Sequence, residues 1–191
     1  MGYYLTSYLT NSSEIKKLYG SKDEKLLTTL LKDLSEELES LNDDFDYELT
    51  ENEDFDSDDI ENKDSQQILT DIINGEVRFP ELAFMYGYVY ELLCKYYGKT
   101  IFPPNKEYST AYYWEIPKSS YKAFISIPFS SDFPEIYSIE ISNLEAEKDL
   151  FLSLKDRNGI NEEGLKIEKE DFKFIFDEAI KQKKDLVFFL Y

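Results

Sequence analysis

Residues 43–64, DDFDYELTENEDFDSDDIENKD, hold twelve carboxylates and a single lysine, Lys63. Carboxylates at every second position suggest a divalent cation. A calcium loop begun at Asp54 would place acids at its positions 1, 3 and 5, which are Asp54, Asp56 and Asp58. Position 6 should be glycine for the sharp turn and is Asp59. Position 12 should be a bidentate glutamate and is Ser65. The two most constraining positions fail, so the pattern is not an EF-hand, and only weak, nonspecific divalent binding fits. No metal or other cofactor is implied.

The remaining chemistry is bounded by what the chain lacks. It has no histidine, which removes Ser-His-Asp and Cys-His machinery and histidine-ligated zinc. Its one cysteine, Cys94, stands in the most apolar helical stretch, where a thiol packs and does not react. No GxGxxG or GxxxxGK[ST] loop occurs. Arg78 and Arg157 are the only arginines, so bidentate phosphate binding has little to draw on. Paired Asp and Glu could still run glycoside hydrolysis or hold Mg²⁺, but forty acids make pairs by chance. A second candidate is aromatic: Tyr113, Trp114 and Glu115 cluster beside turns, as ligand pockets and interface hot spots do. Core packing of strand aromatics explains the same residues.

Net charge is −19 over 191 residues, and more than half of that excess sits in 43–64. Such a chain repels nucleic-acid backbones and anionic membranes and attracts basic partners. Phe45, Tyr47, Leu49, Phe55 and Ile60 interrupt the acids. They would anchor the run to its own domain or to a basic partner; otherwise the run is a solvated loop. No secretory signal and no membrane-spanning stretch is present, and one cysteine suits a reducing compartment.

The elements that must position these residues read as one α+β domain over 1–191, with an acidic loop at 43–64. Residues 3–9 read as a strand. A short helix follows, capped by Ser12 or Ser13 and stopped by Gly20. Residues 21–41 read as one helix with a Ser21/Glu24 capping box and a stripe of Leu27, Leu31, Leu34, Leu38 and Leu41. That stripe packs on its own domain or forms a partner seam. Helices over 65–75, capped by Ser65 and ended by Gly75, and over 80–98 come next. The second is apolar nearly all round and therefore central; Gly87 inside it implies a close contact. AYYWEI and YKAFISIPF read as strands of a hairpin across PKSS, EIYSIEI as a third. Residues 142–156 read as a helix with a Ser142/Glu145 capping box, NGINEEG as a turn, 168–184 as an amphipathic helix closed by lysines, and DLVFFLY as a last strand. Strands at both ends, with helices between, predict a mixed or antiparallel sheet that holds both terminal strands and is packed by several helices.

The stretches YYLTSYL, GSKDEKLL, YGYVYELLCKYYGK, PFSSDFPEIYSI and LVFFLY together resemble an uncharacterised bacterial family, domain of unknown function 7691. The resemblance covers most of the chain. It implies a bacterial, cytoplasmic protein of this length and supplies no activity or site residues. Terminal strands around a helical middle are also faintly similar to domain of unknown function 1877, at the level of fold. From these features the expected function is a non-enzymatic interaction protein, immunity-like or regulatory, that binds a basic protein partner. The alternative is a carboxylate-based enzyme or small-molecule binder, with or without Mg²⁺. Nothing in the residues fixes the oligomeric state.

Overall fold

Strand β5, Asp185–Leu190, is buried at every residue. Its neighbours explain why. The computed structural model describes residues 4–51, 64–104, 106, 109–110, 122–130, 134–153 and 162–191. In it β5 lies between β1 (Tyr4–Thr10) and β4 (Glu135–Ile139). It pairs antiparallel with both, Leu5 opposite Leu190 and Ile139 opposite Leu186. The short strands β2 (Lys99–Thr100) and β3 (Ser109–Thr110) pair antiparallel with β1. The expected antiparallel sheet holding both terminal strands is therefore present.

Helices cover both faces of this sheet. Successive strand side chains point to opposite faces. Leu186, Phe188 and Leu190 join Leu5, Leu9, Tyr137 and Ile139 on one face. There they meet α6 (Leu144–Ser153) and α7 (Glu162–Gln182). The α7 residues Phe172, Ile175, Phe176 and Ala179 form a single apolar stripe, and the Phe172 and Phe176 rings lie 5.7 and 6.0 Å from Phe188. Val187 and Phe189 join Tyr8 on the other face. That face is covered by α1 (Ser12–Leu18), α2 (Glu24–Asp33), α3 (Ser35–Glu51), α4 (Ser65–Asn74) and α5 (Ala83–Tyr96). An antiparallel sheet with one wet face alternates apolar and polar residues; this one is dry on both, so LVFFL runs unbroken.

Several local expectations are corrected. The helix expected over 21–41 is two, divided at Leu34. Its leucine stripe nevertheless packs on the domain's own core: Leu34 and Leu38 are buried, and Leu27, Leu31 and Leu41 pack against them. The acidic run does not begin as a loop, because α3 continues to Glu51. Phe45 extends the 34, 38, 41 spacing by one step and is 2% exposed. Residues 52–63 lie outside the described residues.

The caps also move, always to a neighbouring Asp or Asn. Asn11 caps α1, Asp23 caps α2 and Asp64 caps α4. The serines are used otherwise. The Ser65 hydroxyl donates to the Leu38 carbonyl at 2.8 Å, which ties α4 to α3. The Ser12 N–H donates to Asp185 at 2.8 Å. Ser142 sits in a 3₁₀ turn, Ile141–Asn143, ahead of α6 and caps nothing there. Gly75 ends α4 in the left-handed conformation, as expected.

Of YKAFISIPF, the described residues 122–129 form no strand. Lys122 makes one parallel bridge to Tyr137, and beyond it the Phe124 N–H donates to the Tyr90 hydroxyl at 3.0 Å instead of to a strand. AYYWEI, and so the hairpin, lies outside the described residues. Glu162–Gly164, expected in a turn, begin α7. Beyond α5, Ser109–Thr110 form β3. Among the described residues no helix is long and apolar enough to cross a membrane.

Candidate functional site

Among the described residues, three carboxylates stand out by their setting. Asp71 is fully buried; it accepts from the Tyr86 hydroxyl at 2.6 Å and from the Arg78 guanidinium. Asp185 accepts two backbone N–H groups, from Ser12 and Ile141, both at 2.8 Å. Both are explained as structural pins, because each has the cation or the peptide donors that a dry carboxylate requires. Glu91 is different.

Glu91 is the only acid in α5. It is half-buried on that helix. One oxygen accepts from the Tyr8 hydroxyl at 2.8 Å, the other from the Tyr191 hydroxyl. Among the described residues no ammonium or guanidinium pairs with it, and Lys95 acts on it only at longer range. Burial pushes the Glu91 carboxyl up to about 7, against the Tyr8 hydrogen bond and the Lys95 charge. Burial and the same carboxylate push the Tyr8 phenol up in turn.

Aromatic rings surround this carboxylate. Tyr191 follows β5 directly, and its peptide group exchanges hydrogen bonds with that of Tyr4 at 3.0 and 3.1 Å. Their rings stack at 4.7 Å and 14°. Tyr88, one turn before Glu91, is 5.7 Å from Tyr191 and 5.8 Å from Phe45, which in turn meets Phe84 at 5.6 Å. The result is a continuous series of five rings that runs from Tyr4 of β1, which is 47% exposed, through Phe45 of α3 to Phe84 of α5. Helix α3, which contributes Phe45 to the series, is acidic. Its 17-residue sequence contains eight carboxylates and no base, and Glu36, Glu39, Asp43 and Asp44 are exposed. Like charges spaced three and four apart destabilise a helix, and no cation offsets the dipole in its last turn. The helix holds because Leu38 and Phe45 are buried.

A separate cleft of about 160 Å³ lies between α5 and the start of β4. Ala83 and Gly87 form its floor and Ile125, Ile127 and Ile136 its walls, with Lys122 and Glu135 among its lining. Gly87 fits closely there, since a Cβ would stand 3.0 Å from the Pro134 ring. Glu91 does not line this cleft.

Asp54, Asp56, Asp58, Asp59, Tyr113, Trp114 and Glu115 all lie outside the described residues. Among the described residues no group of three or more Cys, Asp or Glu side chains is arranged to hold a metal ion. Cys94 is fully buried, and burial pushes its thiol up, as its apolar helix implies. The Glu91 cluster was not anticipated from sequence. Its signal was a lone acid in a helix apolar on nearly every side.

A sequence model of the family described as Domain of unknown function (DUF7691) matches residues 1–191, the whole chain. The protein belongs to DUF7691. The match gives no support to the fainter likeness to domain of unknown function 1877. No curated protein and no solved structure matches this DUF7691 chain. The site must therefore be read from its own geometry.

Proposed function

We propose that this DUF7691 protein is a non-enzymatic, cytoplasmic interaction protein, immunity-like or regulatory, that binds a basic protein partner. Its contact surface is Tyr4, the exposed end of the ring series, together with the exposed carboxylates of α3. The observation that carries this reading is Glu91, a half-buried carboxylate that, among the described residues, is held by two phenols and bordered by tyrosine rings. An ammonium or guanidinium is the group such a setting favours, through the charge and through the ring faces. The α3 carboxylates would chiefly speed encounter, and the aromatics would supply affinity.

The test is co-purification of the full chain from its native host, at low and high salt, beside Tyr4→Ala and Glu39→Lys/Asp43→Lys. A basic protein in stoichiometric amount, released by salt and lost with both variants, is expected. Recovery of no such protein would count decisively against the reading.

A second reading rests on the same carboxyl. A group titrating near 7 suits general acid–base chemistry or small-molecule binding, with or without Mg²⁺. A ligand-induced rise in melting temperature that Glu91→Gln abolishes would favour it.

A further inference from the structure

The Glu91 contacts are matched to one protonation state. An ionised carboxylate only accepts, and the two phenols that face it both donate. A proton added to Glu91 breaks that match. The carboxylic acid must then donate through one oxygen, and the phenol on that side must turn its own hydrogen away. Tyr8 cannot do so readily: it is 6% exposed and packed edge-on to Phe189 at 5.7 Å. Tyr191 is only half-buried, so its hydroxyl hydrogen can turn to water. Tyr191 is also the ring that joins Tyr4 to Tyr88 in the aromatic series.

We propose that Tyr8, Glu91 and Tyr191 form a proton-operated latch, in which ionised Glu91 accepts from the Tyr191 hydroxyl and protonated Glu91 donates to it, so that the hydroxyl hydrogen turns outward and the aromatic face responds to pH. Among the described residues the groups facing Glu91 are few. β1 supplies Tyr4 and Tyr8, and the chain after β5 supplies Tyr191. The helix α5 supplies Tyr88, Cys94 and Lys95, and the Lys95 ammonium is shared with Glu37 of α3 at 3.4 Å. Of these, Glu91 is the group that burial carries into the neutral range. The latch goes beyond the partner reading: it is a property of the free chain, and its failure would leave the interaction surface standing.

The experiment follows tyrosine ring ¹³C resonances of the full chain by NMR from pH 5.5 to 8.5. Tyr8 and Tyr191 are expected to shift together with one midpoint near 7, while Tyr137, bonded to Glu147 on the other face of the sheet, serves as the reference. Glu91→Gln should abolish the transition. Tyr191→Phe removes one donor to the charged form, so the Tyr8 midpoint should rise by roughly half a unit to one unit. Flat Tyr8 and Tyr191 resonances in the wild type would overturn the latch, as would the same transition in Glu91→Gln. Should Glu91→Gln not fold, an unchanged Tyr8 midpoint in Tyr191→Phe would overturn it equally.

Discussion

The Tyr86 hydroxyl donates to Asp71 at 2.6 Å, and through that bond α5 holds the connection that leaves α4. The same carboxylate accepts the Arg78 backbone N–H at 3.3 Å and pairs with its guanidinium. Removing Asp71 strands a buried phenol, whereas removing the phenol leaves Asp71 its cation. Asp71→Ala should therefore cost about 2–4 kcal/mol, and Tyr86→Phe about 1–2 kcal/mol. Urea unfolding of both single variants and the double variant checks this. Equal costs would mean that the phenol is the principal partner.

Glu91 gives the protein a pH dependence whose sign follows from its raised carboxyl. The ordinary value is 4.5 and the folded value about 7, so the fold favours the neutral acid. Stability from this group is fully present below about 4.5 and is lost as pH rises through about 7. Glu91→Gln keeps an acceptor for one phenol and removes the charge. It should be more stable than wild type at pH 8, by on the order of 1 kcal/mol, with the advantage vanishing near pH 5. Denaturant midpoints at the two pH values decide it; a variant less stable at pH 8 would show that the phenols outweigh desolvation.

Two glycines on or beside α5 should respond differently to alanine. At Gly98 a Cβ would lie 2.5 Å from the Leu9 carbonyl oxygen and 2.6 Å from that of Cys94, both backbone atoms. At Gly87 it would lie 3.0 Å from the Pro134 ring, and alanine gains about 1 kcal/mol of helix propensity there. Gly98→Ala should lower the thermal midpoint severely and Gly87→Ala only modestly. A reversed order would show that the Pro134 segment is more rigid than the β1–α5 junction.

Salt should stabilise this protein at neutral pH. Glu36, Glu39 and Asp43 are successive neighbours along α3, at spacings of three and four. Each such like-charge pair costs roughly 0.2–0.5 kcal/mol at low ionic strength, and screening lowers that cost. Melting temperature is expected to rise between low and moderate NaCl, and less so in Glu39→Lys/Asp43→Lys. A salt-independent melting temperature would mean that the repulsion is already neutralised.

The parts that sequence made legible are those set by period and backbone stereochemistry. The unbroken LVFFL, the all-round apolar α5 and the left-handed Gly75 each need only local chemistry to be read. Side-chain competition is a different matter. Ser65 has a cap-forming hydroxyl, but the Leu38 carbonyl claims it, and Asp64 takes the cap. Phe45 was hidden by the charges around it, although it continues the leucine spacing. YKAFISIPF alternates well enough for a strand, yet Tyr90 draws its backbone away from the sheet. Glu91 becomes distinctive only when β1 and the end of β5 bring two phenols to it. Those are tertiary facts, decided by residues far apart in the chain.

The position of β5 has a consequence for how the chain acquires its structure. The Ser12–Asp185 bond joins residues 173 apart, and all of β1 pairs with β5 across comparable separations. The helices α1 to α5 can dock on one another early, since their contacts are nearer in sequence. Strand β1 cannot be completed until residues 185–190 have left the ribosome. During synthesis β1 can pair with β2 and β3, but the edge it offers to β5 waits unmatched beside an unfinished core, a high-contact-order arrangement that slows folding and exposes that edge to other chains.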